Sequence, residues 1–229
     1  MARARPVVAI DGPAGAGKST VARAVAERLG FVLVDTGSLY RAVALCALRR
    51  GVDLGDREAV EAVAVEAVGD GSLRLAADGS GATRVLVDGE DPGEALRTPE
   101  LSLGASTVSA YPGVRAALLD AQRAFGRDGA VVLEGRDIGT VVFPDAEVKV
   151  YLTASAEVRA QRRYDELRAR GVAVELAATL EEVLARDARD MNRAIAPLRE
   201  APDAHRVDAS HLAPEAVIDA IVRLVRPPG

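Results

Sequence analysis

The chain has 229 residues, of which 49% are hydrophobic and 28% charged, and its formal net charge is −5. This is the composition of an ordinary globular protein, and the acidic balance disfavours a general polyanion-binding role, so nucleic acid is not an expected partner. No signal-peptide h-region follows MARARP, no apolar run reaches membrane-spanning length, and Cys46 is the only cysteine. We therefore expect a protein of the cytoplasm, with no membrane partner and no internal disulfide. We also expect it to be a monomer.

The first predicted elements alternate between strand and helix. Short apolar runs predict buried strands over 7–10 and 31–34. Amphipathic patterns predict a helix over 19–29, capped by Gly30, and another over 39–49. This alternation predicts a parallel sheet with right-handed crossovers.

The pattern changes between residues 57 and 110. A helix is predicted over 57–68, followed by two alternating segments, 72–77 and 83–89, whose DGSG connection indicates a hairpin. A further helix is predicted over 98–110. Because these elements interrupt the alternation of strand and helix, residues 57–110 are interpreted as an insertion.

The alternation resumes with a helix over 113–125. The remaining predicted strands are 130–135, 148–152 and 205–209, and the remaining helices are 155–170, 179–193 and 214–225. With the first two strands this gives five core strands. The predicted fold is a three-layer α/β fold with a five-stranded parallel sheet, built from residues 1–56 and 111–229.

A glycine-rich loop follows the first predicted strand and precedes a helix, and its sequence GPAGAGKS (12–19) matches G-x-x-x-x-G-K-[ST]. Gly12, Gly15 and Gly17 let backbone N–H groups turn inward, where the helix N-terminus also favours phosphate. The motif and its position between a strand and a helix are typical of a P-loop NTPase fold. We expect Lys18 to reach the β- and γ-phosphates of a bound nucleotide and the Ser19 hydroxyl to bind Mg²⁺. The predicted nucleotide-binding residues are Gly12, Pro13, Ala14, Gly15, Ala16, Gly17, Lys18, Ser19 and Thr20.

Lys18 and Lys149 are the only lysines in the chain. The compact ammonium of a lysine fits a narrow phosphate cradle better than the wide fork of an arginine, which supports the role of Lys18. Lys149 lies between two valines and is interpreted as the outward end of a strand. Asp11, just before the loop, either positions Mg²⁺ or water or hydrogen-bonds the loop.

The candidate functions are distinguished by what else the chain carries. A GTPase-type switch needs an Asn-Lys-x-Asp motif, but Asn192 is the only asparagine and an arginine follows it. A small-molecule kinase needs arginines for a second anionic substrate at the carboxyl edge of the sheet. Such arginines occur in three places, namely Arg41, Arg136 beside Asp137, and the segment RDARDMNR (186–193), where Arg186, Asp190 and Arg193 share a helix spacing. Solvated charges and surface salt bridges remain the alternative interpretation.

Four stretches give the sequence a close resemblance to bacterial cytidylate kinases, in the nucleoside-monophosphate kinase group. They are IDGPAGAGKST (10–20), DTGSLYRA (35–42), EGRDIGTVVFPDA (134–146) and RDARDMNRAIAPL (186–198). The resemblance implies phosphoryl transfer from ATP to CMP or dCMP in pyrimidine nucleotide metabolism, with 57–110 as the monophosphate-binding insertion. The alternatives are a kinase for another monophosphate such as UMP, and a non-catalytic nucleotide-binding switch.

The resemblance also implies roles for individual residues. Arg41, Arg136 and Arg193 would bind the acceptor phosphate, and Thr36 would take part in substrate binding. The remaining substrate residues would be Ser106, Arg115 and Asp137 for the cytosine and Asp190 with Arg186 for the ribose. A lid at about 156–171 would bring Arg159 and Arg163 to the transferring phosphoryl group, where they would act with the catalytic residues Lys18, Arg136 and Arg193.

Overall fold

Seven strands and eight α-helices lie within residues 3–225, which are the residues that the computed structural model describes. The strands are β1 Val7–Asp11, β2 Val32–Asp35, β3 Leu73–Ala77, β4 Thr83–Val87, β5 Val131–Gly135, β6 Val148–Thr153 and β7 His205–Asp208. The helices are α1 Lys18–Leu29, α2 Thr36–Arg49, α3 Arg57–Gly69, α4 Pro99–Val108, α5 Pro112–Gly126, α6 Ala156–Ala169, α7 Leu176–Asn192 and α8 Pro214–Val225. A 3₁₀ turn at Gly93–Arg97 and a turn of π-helix at Ile138–Val142 were not predicted.

Five of the strands within residues 3–225 form one sheet in the order β2-β5-β1-β6-β7, and every pair in it is parallel. The predicted five-stranded parallel sheet is therefore confirmed. The register places Asp11 beside Gly135 and Asp35 beside Glu134. Three acidic side chains thus end neighbouring strands at one edge, where ligands of open α/β sheets bind.

Helices cover both faces of the sheet, which explains why β1 and β5 are apolar along most of their length. On one face α1 and α8 pack over Val8, Ile10 and Val150. On the other face Val7, Val34 and their neighbours pack against the π-helical turn and α5. The sheet therefore holds the carboxyl-edge side chains on a rigid support with little freedom to shift.

The insertion shares a hydrophobic cluster with two helices of the surrounding fold. Val60 of α3, the hairpin β3–β4 and Leu101 of α4 pack with Leu39 of α2 and Leu118 of α5. The division of the chain into a core and a 57–110 unit stays a prediction, and in the structure α2 and α5 join the two.

The structure corrects the sequence interpretation at three points. Helix α2 begins three residues earlier than predicted because Asp35 accepts a hydrogen bond from the backbone N–H of Ser38 and caps the helix. Helix α7 ends at Asn192, and Arg193 has an extended backbone, so the shared helix face does not extend to Arg193. The interpretation of Lys149 as outward-facing is wrong, because its side chain is 7% exposed and fully hydrogen-bonded.

Candidate active site

The loop from Gly12 to Ser19, called the donor loop below, connects β1 to α1 and has the geometry of an anion site. Gly17 precedes α1 in the left-handed region (φ 93°), and no side chain caps the helix, so its first N–H groups point into the loop. A Cβ on Gly12 would lie 1.9 Å from the carbonyl oxygen of Leu152. Only glycine fits at this position, because the backbone of the loop lies directly against the backbone of β6.

Lys18 is buried at the mouth of the donor loop, and its Nζ donates to the carbonyl of Pro13 at 2.7 Å. Burial lowers its pKa well below the ordinary value, and the nearby guanidinium of Arg136 lowers it further, while Glu134 raises it. The ammonium therefore lies among cations as well as beside a carboxylate. Such a site gains stability when an anionic group enters it.

Ser19 and Glu134 join the donor loop to the end of β5. The Ser19 Oγ donates to Glu134 Oε2 at 3.0 Å, and the other carboxylate oxygen, Oε1, is buried with no hydrogen-bond partner among residues 3–225. Burial raises the pKa of Glu134 to about 7, and the neighbouring carboxylate of Asp35 raises it too, against the effect of Lys18. The free oxygen indicates a place for a cation or a donor that the protein itself does not supply.

Asp11 bonds neither to the donor loop nor to Ser19. Its carboxylate accepts from the backbone N–H groups of Ile138 at 2.8 Å and Gly139 at 2.7 Å. Burial raises its pKa to about 6, although these two hydrogen bonds oppose that shift. Asp11 thus fixes the start of the π-helical turn that follows β5.

The first cluster consists of three arginines around two carboxylates. The sequence pattern and the resemblance assign these arginines, Arg41, Arg136 and Arg186, to the acceptor. Arg41 donates to Asp35 Oδ2 at 2.5 Å, and Arg136 donates through Nε to Asp190 Oδ2 at 2.9 Å. The Nε atoms of Arg186 and Arg41 are buried and have no hydrogen-bond partner among residues 3–225.

The charges of these arginines act on one another. Burial lowers the pKa of Arg186 to about 10, and Arg136 contributes to that shift. Burial raises the pKa of Asp190, but Arg136 and Arg186 outweigh it, so the net shift is downward. Positive charge exceeds negative charge at this point, as a phosphate-binding site requires.

A second cluster lies beside the first and is built around Asp137. Arg115 donates to Asp137 Oδ2, and Arg193 reaches Asp137 Oδ1 at 3.5 Å. Burial raises the pKa of Asp137 against the opposing effect of these two guanidiniums. Helices α5 and α7 are thereby connected to the loop after β5.

Helix α4 of the insertion reaches both clusters through two serines. Ser106 Oγ donates to Asp190 Oδ1 at 3.2 Å. Ser109 accepts from Arg193 at its Oγ and from Arg115 at its carbonyl, both at 3.3 Å. The residues predicted to bind the base and the ribose are therefore brought together, although they come from four separate segments.

Thr36 lies next to these clusters, but its hydroxyl has a partner in the protein. Its Oγ1 donates to the carbonyl of Glu134 at 2.7 Å, and the side chain is buried. In this structure the hydroxyl joins the start of α2 to the end of β5.

The arginines of α6 differ in their surroundings. Arg159 makes a bidentate pair with Asp187 of α7, at 3.1 and 2.6 Å, and also donates to the carbonyl of Ala14 in the donor loop. Arg163 is paired only with the exposed Glu166. Arg170, at the end of α6, donates to the carbonyl of Arg97 in the insertion at 3.1 Å. Residues 156–171 thus contact both the donor loop and the insertion.

Sequence reasoning missed several residues of the site. Glu134 accepts a hydrogen bond from Ser19, Asp35 from Arg41, and Asp187 from Arg159. Ser109 joins two arginines. A signal existed for Glu134, because an acidic residue ends the apolar run AVVLEG and faces the carboxyl edge. Asp187 and Ser109 had no such signal, because their partners are remote in sequence.

Two features are absent from residues 3–225. No helix there has the length and apolar content to cross a membrane. No group of three or more His, Cys, Asp and Glu side chains converges there in a way that could hold a metal ion.

Comparison with known proteins gives a consistent result. A family model described as cytidylate kinase matches residues 8–227. Cytidylate kinases of Pseudomonas aeruginosa and Pelotomaculum thermopropionicum are each 50% identical to the chain, over 95% and 96% of it and 94% and 96% of their own lengths. A solved structure of an uncharacterized protein from Eubacterium ventriosum has a TM-score of 0.51 at 11% identity, covering 98% of this chain and 100% of that one, which is a likeness of fold alone.

A longer relative also matches. The bifunctional pantoate ligase/cytidylate kinase of a Synechococcus strain is 50% identical over 97% of this chain, which spans 41% of that relative's length.

Proposed function

The chain belongs to the cytidylate kinase family, and from this premise we propose that it transfers the γ-phosphoryl group of ATP to the phosphate of CMP or dCMP, giving ADP and CDP or dCDP. The observation that carries the proposal is the position of Lys18. It lies in the donor loop and close enough to Arg136 and Arg186 for their charges to lower its pKa. The positive charge of these three side chains would act on the triphosphate of ATP on one side and on the acceptor phosphate on the other.

The donor loop would bind the phosphates of ATP chiefly through backbone N–H groups. Residues 12–20 supply the loop and the first turn of α1, and Lys18 would offset charge on the β- and γ-phosphates. Binding by fixed backbone dipoles needs little reorganisation during the reaction, which is why such sites stabilise developing charge well.

Mg²⁺ fits the oxygens beside the loop. Ser19 Oγ and Glu134 would hold it, because the unpartnered Oε1 of Glu134 is a hard anionic donor. With so few protein ligands near, water and phosphate would complete the coordination, as is usual for this ion. When bound, the ion would offset negative charge on the phosphates.

The acceptor phosphate would be bound by Arg41, Arg136 and Arg193. Each guanidinium now rests on a carboxylate or a carbonyl, so its position is fixed before the substrate arrives. A bidentate fork suits a phosphate and lowers the repulsion between two anionic substrates. Because the second pKa of a phosphate monoester is about 6, the attacking oxygen is largely ionised near neutral pH and needs no strong general base.

Choice of the base would depend on Asp137, with Arg115 and Ser106 nearby. A carboxylate accepts from the N4 amino group of cytosine, whereas the O4 of uracil would face it as a second acceptor. Arg115 and Arg193 occupy only part of the lone pairs of Asp137, so an acceptor site remains. Asp190, with Arg186, would contact the ribose.

The lid arginines would act at the transferring phosphoryl group. Arg159 already touches the donor loop through Ala14, and Arg163, one helical turn on, is free to turn inward because its partner is exposed. Their charge would stabilise the transition state, and closure of residues 156–171 would exclude water.

A coupled assay of ADP release across CMP, dCMP, UMP, AMP and GMP tests the proposal. We expect release to be fastest with CMP or dCMP and negligible without an acceptor. Faster turnover with UMP or AMP would contradict the cytosine assignment. Slow hydrolysis that ignores the acceptor would favour a nucleotide-dependent switch instead.

The proposal includes a monomeric enzyme that acts in the cytoplasm and needs no nucleic acid or membrane partner. Cys46, the single cysteine, is buried and free, which suits a reducing compartment. Light scattering coupled to size-exclusion chromatography at assay concentration, with and without CMP, tests the oligomeric state. A mass of twice the chain's 23.9 kDa would contradict it.

A further inference from the structure

Lys149 is a buried cation that none of the roles above uses. It lies in β6 beside Ala9 of the central strand, and its Nζ donates to Pro144 O at 2.6 Å and to the two carboxylate oxygens of Asp203 at 3.0 and 2.7 Å. All three N–H donors of the ammonium therefore have acceptors. In a chain with only one other lysine among its 29 basic residues, a lysine with a complete set of partners calls for an explanation.

The stem of Lys149 passes directly under the loop that follows β5. A Cβ on Gly139 would lie 3.2 Å from Cγ and Cδ of Lys149 and 3.4 Å from Asp11 Oδ2. Gly139 is two residues beyond Asp137, and its own N–H is held by Asp11. The planar guanidinium of an arginine is wider than the compact ammonium that reaches Pro144 and Asp203 here.

The loop from Arg136 to Pro144 is thus fixed at both ends. Asp11 holds the N–H groups of Ile138 and Gly139 at its start, and Lys149 holds the carbonyl of Pro144 at its end. Between these two ends the backbone forms one turn of π-helix. Such single turns are often associated with functional sites. A shift at Pro144 would be transmitted toward Asp137, because the N–H groups of Val141 and Val142 donate to the carbonyl of Asp137.

We propose that Lys149 is a positioning residue for the acceptor nucleotide: through Pro144, Gly139 and Asp203 it fixes the loop that presents Arg136 and Asp137. It does not touch either substrate. The inference rests on the proposed function, because it assumes that Arg136 and Asp137 bind the acceptor. It adds a determinant of acceptor binding that lies on the far side of the loop from the substrate.

The test is steady-state kinetics of Lys149→Met with each substrate varied in turn. Methionine keeps much of the stem and removes the ammonium, so Pro144 loses its charge-assisted hydrogen bond. We expect the KM for CMP to rise about tenfold and the KM for ATP to change by less than about twofold. The ratio of CMP to UMP turnover should fall with it, because Asp137 would be less precisely placed.

Ile221→Val is the matched control. Ile221 is fully buried on α8, across the sheet from the loop, so its truncation lowers stability without touching the acceptor region. We expect a lower Tm and unchanged KM values for both substrates. A control that shifted the KM for CMP as much as Lys149→Met does would overturn the inference.

A second variant covers the case in which Lys149→Met does not fold. Asp203→Asn weakens the same anchor from an exposed side, since the Asp203 side chain is 63% exposed, and we expect about a twofold rise in the KM for CMP alone. Hydrogen exchange of the Ile138 and Gly139 amides should be faster in either variant. Equal rises in both KM values, or a lower Tm with no kinetic change, would overturn the inference. Wild-type protein without CMP-dependent ADP release would instead contradict the proposed function.

Discussion

The donor loop and the acceptor pocket, which is the pair of arginine clusters around Asp190 and Asp137, are both proposed to bind a phosphate, but the protein builds them differently. The donor loop is a run of consecutive residues whose glycines and helix N-terminus direct backbone N–H groups inward. The acceptor pocket is a set of side chains from α2, α4, α5, α7 and the loop after β5, held by ion pairs. The first is preorganised by local backbone conformation and the second by mutual neutralisation of charge.

This difference determines how each region responds to change. Loss of a side chain from the donor loop leaves its backbone in place. Loss of one partner in the acceptor pocket leaves a buried charge without its counter-charge, which is strongly destabilising. Substitutions in the donor loop should therefore affect the chemical step alone. Substitutions in the acceptor pocket should also disturb the pocket itself.

Lys18→Met should have the largest effect on turnover. The methionine side chain fills the space of the buried aliphatic part of Lys18. The variant should fold, because removal of a desolvated charge costs the native state little. We expect kcat to fall by about 10³-fold, as when a preorganised charge-stabilising group is removed, with the KM for CMP changed far less. Circular dichroism and the coupled assay measure this, and a fall of less than tenfold would contradict the role of Lys18.

Arg193→Met should damage the acceptor pocket. The Arg193 side chain is 5% exposed and bonds Asp137, Ser109 and the carbonyl of Ala196. We expect the KM for CMP to rise by about 10²-fold while ATP affinity, measured by calorimetry, is retained. Arg189→Met, one turn earlier and exposed, is the matched control and should leave both constants unchanged. Equal losses for CMP and ATP would argue against a separate acceptor pocket.

Glu134→Gln should change how stability depends on pH. Because the folded-state pKa of about 7 lies above the ordinary 4.5, the native carboxyl keeps its proton while the unfolded one loses it, and stability falls as the pH rises from about 4.5 to 7. The variant lacks this loss, so its free energy of unfolding should gain about 2 kcal/mol relative to wild type between pH 5 and pH 8. Urea denaturation in metal-free buffer measures it. Parallel pH curves for the two proteins would contradict the raised pKa.

Asp137→Asn should have the smallest effect and the most specific one. An asparagine can present either its oxygen or its amide N–H₂ to the base, so uracil is no longer opposed by two facing acceptors. We expect the ratio of CMP to UMP turnover to fall about tenfold with little change in ATP binding. An unchanged ratio would count against Asp137 as the residue that reads the base.

The same contrast explains how much the sequence could predict. The order of strands and helices and the donor loop depend on periodicity, glycines and a short motif, all of which are local. The sheet, its parallel pairing and most element boundaries were predicted within a few residues and are confirmed. The spacing in RDARDMNR predicts a helix through Arg193, but α7 ends one residue earlier. This end could not be predicted, because no local sequence signal marks the extended backbone after Asn192.

For the acceptor pocket, local pattern indicates three arginine-bearing segments at the carboxyl edge of the sheet, but not how their side chains pair. With 27 arginines in the chain, no single one stands out, and pairs such as Ser106 with Asp190 join residues 84 positions apart. The resemblance supplied those roles, and they stay predictions until they are measured. The opposite error occurred at Lys149, where flanking valines suggested an exposed strand end and the fold supplied Pro144 and Asp203 as partners.

The hydrophobic cluster that α2 and α5 share with the insertion has a consequence for protein engineering. A graft limited to residues 57–110 would cut this cluster and leave the apolar faces of Leu39 and Leu118 in water. A chimera that exchanges acceptor specificity between relatives should therefore transfer α2 and α5 with the insertion, as one block from Thr36 to Gly126. Such a block would also carry Arg41 and Arg115, so that cooperative folding and substrate choice would be inherited together.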